Sequence, residues 1–164
     1  MSRFNILQAD VDGIYVLKFV GEIRLNLCST LERVVDTMLS DPEFRAVVID
    51  LTETDVVDST TLGLLAKIAV AAAEHNGIVP TIISTNDDVT RIIRSMGFDK
   101  IFIILGEPVQ KIEELQEIPV LDSTEGEVRE SVIDAHRVLM SLNSENQKEF
   151  KDLVEALENE ARCD

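Results

Sequence analysis

The sequence predicts an α/β protein: a single mixed β-sheet with packed helices in ββαβαβαβ order, followed by a C-terminal αα-hairpin. Three observations carry this expectation. Strand-like apolar runs alternate with helix-period runs up to about residue 106, which calls for parallel pairing through right-handed crossovers. The first two strand-like runs follow one another directly, so they open the sheet as an antiparallel pair. Beyond Gly106 the strand pattern stops, and two helical runs follow, each headed by a capping-box signature.

Each element has its own local reason. In "FNILQADVDGIYVLKFVGEI" the turn falls at Val11-Asp12-Gly13, where glycine supplies a positive φ. "NLCSTLERVVDTMLS" places Leu27, Leu31, Val34, Val35 and Met38 on one helical face, and Asp41-Pro42 stops it. "RAVVIDLT" reads as a strand. Ser59 to Asn76 reads as a helix closed by Gly77 in the left-handed C′ position. "IVPTIIS" is a strand with Pro80 at its start, because proline cannot donate to a ladder. "NDDVTRIIRSMG" has an asparagine cap, acids in its first turn, Arg94 in its last and Gly97 as terminator. "KIFIIL" completes the sheet.

The tail differs in composition. Residues 1–108 carry 16 acids and 9 bases, whereas residues 109–164 carry 15 and 6 on half the length. This divides the chain into a domain over 1–108 and an acidic helical extension over 109–164. Thr124-x-x-Glu127 precedes the stripe Val128, Val132, Ala135, Leu139, Leu142, and Ser144-x-x-Gln147 precedes Phe150, Leu153, Val154, Leu157, Ala161. The stripes are expected either to pack on the domain and each other or to await a partner helix.

Bulk properties exclude several function classes. Of 164 residues, 45% are apolar, enough for a core, yet only 4% are aromatic, so that core rests on Val, Ile, Leu and Ala. A formal charge of −16 speaks against nucleic acid, whose phosphates need clustered Lys and Arg. Cys28 and Cys163 form neither metal nor redox spacing. No apolar run reaches signal-peptide or membrane-spanning length, so the expected location is the cytoplasm.

The chemistry-bearing residues gather in "VIDLTETDVVDSTTLGLLAKIAVAAA", where Asp58-Ser59-Thr60-Thr61 opens a helix with one charge in its first fourteen positions. Asp50, Glu53, Asp55 and Asp58 offer oxygen ligands, but no phosphate-cradling loop or second acidic cluster accompanies them, so no metal or cofactor is expected. Nucleophilic catalysis at Ser59 needs a base. His75 is about 24 Å away along the same helix at 1.5 Å per residue. His136, in "DAHRVLM", is expected to be a solvated helix histidine, so the chain is not expected to be an enzyme. Capping accounts for one polar residue of the cluster but not for three successive hydroxyls ahead of an apolar helix.

"VVIDLTETDVVDSTTLGLL" resembles the signature of STAS-domain anti-sigma-factor antagonists: an apolar strand, then Asp-Ser-Ser/Thr-Gly-Leu-Gly opening a helix. "GEIRLNLC" is similar to the family's second loop, and the element order matches over about residues 4–106. The resemblance implies a serine phosphoacceptor at Ser59 and partner contacts at Asp58, Thr60, Thr61, Arg24 and Asn26. It implies an anti-sigma factor as partner of the unphosphorylated form, with a serine kinase and a phosphatase linked to a response regulator. Thr61 stands where the family has glycine, and Arg24 stands where it has an acid. The alternative is a STAS scaffold within a larger signalling assembly.

Overall fold

The computed structural model describes residues 4–23, 28–107, 116–117 and 121–162. Strands β1 (Phe4–Val11) and β2 (Ile14–Ile23) pair antiparallel through a two-residue turn, with φ of 54° at Asp12 and 85° at Gly13. Both central residues have positive φ, the requirement of a type I′ hairpin. At Gly13 a side chain is excluded twice over, because an added Cβ would lie 1.9 Å from the Glu43 carbonyl oxygen.

Helix α1 (Cys28–Ser40) leads to β3 (Ala46–Val57), and α2 (Ser59–Asn76) to β4 (Thr81–Ile83). Helix α3 (Asp87–Ser95) and a single turn over Phe98–Lys100 lead to β5 (Ile103–Leu105). The sheet order is β5-β4-β3-β2-β1-β6, with β2 to β5 parallel. This is the mixed α/β sheet that the alternating runs predicted.

Several local readings needed correction. Strand β3 runs to Val57, five residues beyond "RAVVIDLT", and β4 keeps only Thr81–Ile83 of "IVPTIIS". Strand β5 begins at Ile103 rather than at Lys100, because Gly97 leaves α3 at φ 89° and starts a short helical turn. A sixth strand, β6 (Gln116–Glu117), pairs with Leu7 and Gln8 of β1. Two polar residues carry no period, so no pattern announces it. The residues around β6, 108–115 and 118–120, lie outside the described part, so the boundary expected near residue 108 lies there too.

The extension forms α4 (Glu125–Leu142) and α5 (Ser144–Arg162). The Thr124–Glu127 capping box is present in both directions. The second helix start is shifted by one residue: the Asn143 side chain, not Ser144, accepts from the Asn146 amide at 2.7 Å. Asn143 is extended, at φ −160° and ψ 167°, just ahead of the first helical residue, which is the backbone a cap requires.

Burial alternates along β2 and β3, so one face of the sheet is covered and the other is half-open, with Lys18 and Glu53 ion-paired on it. The covered face merges with the helices into one core: Leu17, Phe19, Ile49 and Leu51 with Leu31, Leu65, Ile93 and Phe98. Ala135 and Leu139 of α4 and Phe150 of α5 belong to the same cluster. Helix α2 is buried nearly all round from Thr60 to Ala69, as a helix enclosed by other elements must be. The hairpin therefore packs on the domain, over α2.

Further contacts hold it there. Leu121 N–H donates to Thr30 Oγ1 at 2.9 Å, and the Ser29 and Ser123 hydroxyls bond to one another. Asn146 Nδ2, 4% exposed, donates to the carbonyls of Met96 and Leu139, each at 2.8 Å. Among the described residues no helix is long and apolar enough to cross a membrane.

Candidate functional site

Parallel pairing puts the C-terminal ends of β2 and β3 together, and the register sets Ile23 beside Val57. The chain then enters α2 through Asp58, at φ −86° and ψ 166°. The extended backbone lets its carboxylate turn back and accept the Thr61 amide at 2.8 Å. Asp58 is thus the helix cap, satisfying an amide that has no partner inside the helix.

Ser59 is half-buried at the first position of α2. Its Oγ lies 2.8 Å from Nε2 of His136 on α4. The other ring nitrogen, Nδ1, lies 2.7 Å from the Val132 carbonyl oxygen. A carbonyl can only accept, so Nδ1 carries a proton; in the neutral imidazole Nε2 is then the acceptor and the Ser59 hydroxyl donates to it. The edge of Phe150 packs against the imidazole, with ring centroids 4.9 Å apart.

His136 is 1% exposed, which corrects the expectation of a solvated helix histidine. Its partners come from three separate segments, Ser59, Val132 and Phe150, and no spacing in the sequence announces that meeting.

The helix crossing explains a second residue. An added Cβ at Gly63 would lie 2.3 Å from the Ala135 carbonyl oxygen, 2.5 Å from its carbon and 2.6 Å from its Cβ. A mid-helix glycine costs roughly 1 kcal/mol against alanine. Here it permits α4 to lie directly on α2, one turn beyond Ser59. The sequence reading passed over Gly63; glycine inside an otherwise apolar helix was the available signal.

The other expected site residues divide. Thr60 and Thr61, expected to meet a partner, are 5% and 0% exposed and face the interior. The Thr61 hydroxyl oxygen is buried without a hydrogen-bond partner. Leaving such a group unpaired costs about 1–3 kcal/mol. Thr61→Val keeps the shape and removes the hydroxyl, so it is expected to raise stability by roughly 1 kcal/mol or more, read as a higher denaturant midpoint. A lower midpoint would show that this hydroxyl is satisfied in solution. Arg24 and Asn26 lie outside the described residues.

The acids do not converge. Asp50 accepts from the amide and hydroxyl of Thr52, Glu53 pairs with Lys18, and Asp58 caps α2. Among the described residues no group of three acids, histidines or cysteines is placed to hold a metal ion. Val56, at 55% exposure, presents an apolar side chain just ahead of Asp58. Cys28, buried at the start of α1, has its thiol pushed up by burial, with Glu32 and Asp58 adding to it against a bond from Ser131. It is an inert core thiol.

A cleft of about 400 Å³ separates α1, α2 and α4. Lys67 stands in it, 4.0 Å from Glu32 and 3.9 Å from Asp134, and Ser131 donates to Glu32 at 2.8 Å. These polar contacts tie α4 to both domain helices.

The STAS domain family matches residues 6–115, two-thirds of the chain, and the protein belongs to that family. Among solved structures, it is similar to an anti-sigma factor antagonist from Mycobacterium paratuberculosis, at 26% identity and a TM-score of 0.54. That match covers 64% of this chain and 87% of the other. The fold is also that of the anti-sigma factor antagonist SpoIIAA in its unphosphorylated form, at 12% identity and a TM-score of 0.53, covering 65% and 90%. No curated protein matched the chain in the sequence comparison.

Proposed function

We propose that this protein is an anti-sigma-factor antagonist, a binding switch rather than an enzyme, controlled by phosphorylation of Ser59. One observation carries the reading most directly: the Asp58-Ser59 pair sits at the end of a parallel strand, with Asp58 spent on capping and Ser59 at the open end of α2. The family membership and the similarity to an anti-sigma factor antagonist support it.

In this reading the unphosphorylated chain binds the anti-sigma factor and so releases a sigma factor. Exposed Val56 and the Asp58–Ser59 corner form part of the contact, together with Arg24 and Asn26, which follow β2 in the sequence. A serine kinase adds the phosphate and a phosphatase, linked to a response regulator, removes it. The site would work in the cytoplasm and use no cofactor.

Affinity purification of Ser59→Ala from the source cells, followed by identification of what remains bound, tests the function. An anti-sigma factor is the expected companion. Recovery of a sensor assembly without any anti-sigma factor would overturn this reading in favour of a scaffold role.

A further inference from the structure

We propose that the α4–α5 hairpin is a built-in competitor at the Ser59 face, and that a docked α4 and a phosphate on Ser59 exclude one another. The proposal rests on Ser59 as the regulated residue and adds what regulates access to it.

The 2.8 Å between Ser59 Oγ and His136 Nε2 accommodates one hydrogen. A phosphoryl group on Oγ would place a phosphorus and three oxygens where the imidazole now stands. The ring has little freedom to yield: it is 1% exposed, held at Nδ1 by Val132 and backed by Phe150. Both of those groups belong to the hairpin, so displacing the ring displaces α4.

Charge acts in the same direction. The phosphate adds about −1.5 to −2 charges. It would stand beside Asp58 and under the α4–α5 hairpin, whose residues 125–162 already carry 10 acids against 5 bases. In the neutral ring, with the Nδ1 proton on Val132, the Nε2 atom that faces it is an acceptor and has no proton to offer a phosphate oxygen.

The docked state is also built to be separable. Its helix crossing depends on close approach at Gly63; besides the apolar contacts of Ala135, Leu139 and Phe150, its ties to the domain are polar, among them Ser131 to Glu32, Lys67 to Asp134, Leu121 to Thr30, Ser29 to Ser123 and Asn146 to Met96. Release would leave the sheet and its hydrogen-bond register untouched, since neither α4 nor α5 contributes a strand. It would open the α2 face next to Ser59 to another protein.

The test uses the full-length chain with phosphoserine installed at position 59 by genetic encoding, so no kinase is needed. Amide hydrogen exchange is followed segment by segment. Phosphoserine is expected to accelerate exchange in α4 and α5 by about ten-fold or more while β1 to β4 keep their protection. Gly63→Val, which forces a side chain into the Ala135 backbone, should give the same pattern without phosphate, and adding phosphoserine to it should change little. Unchanged or slower exchange in α4 and α5 with phosphoserine would overturn the proposal, because the phosphate would then be accommodated under the hairpin. Acceleration across the strands as well would also overturn it, by showing loss of the fold rather than of one contact. Neither outcome depends on whether cells phosphorylate Ser59, which site mapping decides separately.

Discussion

Ser59→Asp is expected to bind the anti-sigma factor about 10³-fold more weakly than Ser59→Ala. Both variants lose the hydrogen bond to His136, so comparing them isolates the charge. The start of α2 tolerates that charge in the free protein. The charge sits at a helix N-terminus, where unpaired amides and the dipole favour an anion by roughly 0.3–1 kcal/mol, while neighbouring Asp58 opposes it by a similar amount. Because Asp58 is the cap, the start of α2 survives either substitution. On a partner's surface the balance changes. A docked protein must strip water from the new carboxylate next to Asp58, and an unpaired buried charge costs several kcal/mol, which corresponds to the stated loss. Titration of the two variants against the purified anti-sigma factor reads the difference. Equal affinities would mean that Ser59 lies outside the contact.

Gly63→Ala is expected to change sign with the presence of the hairpin. In the full chain the new methyl meets the Ala135 carbonyl group and Cβ at 2.3–2.6 Å. The neighbour is mostly backbone and cannot rotate away, so α4 must move outward, at a cost of roughly 1–3 kcal/mol. In a chain ending near Gly106 the same methyl faces solvent, and alanine's higher helix propensity stabilises by up to about 1 kcal/mol. Denaturant unfolding of the four proteins gives the comparison. The truncated chain should keep its sheet but unfold at a lower midpoint, because Ala135, Leu139 and Phe150 share the core with the strands. A destabilisation of equal size in both backgrounds would mean that the position, and not the crossing, resists alanine.

These two residues also mark how far the sequence could be read. Alternating strands and helices are local patterns, so β1 to β4 and all five helices were legible, but strand ends were less so: β3 runs to Val57, five residues past the run that announced it, and β4 starts three residues later than its run. Asp58 and Ser59 were legible because an acid and a hydroxyl at a strand–helix junction form a short motif. His136 was not. Its role depends on a tertiary contact across 77 residues of sequence, and an isolated histidine on a helix reads as solvated until its neighbours are known. The burial of Thr60 and Thr61 was hidden for the same reason: the second face of α2 is covered by the hairpin, whose docking the stripes alone left open between the domain and a partner.

That covered face changes the meaning of the site. A Ser59 held only by its own helix would be open to a kinase at all times. Here the hydroxyl is engaged by α4, so access to it depends on a helix pair held by the apolar core and by polar contacts.

The central claim, that Ser59 is the regulated residue, is met most directly by site-resolved mass spectrometry of the chain purified from its own cells in two growth states. The account predicts one phosphate, localised to Ser59, whose occupancy differs between the states. Phosphate found only on Thr60, Thr61 or His136, or none in either state, would contradict it.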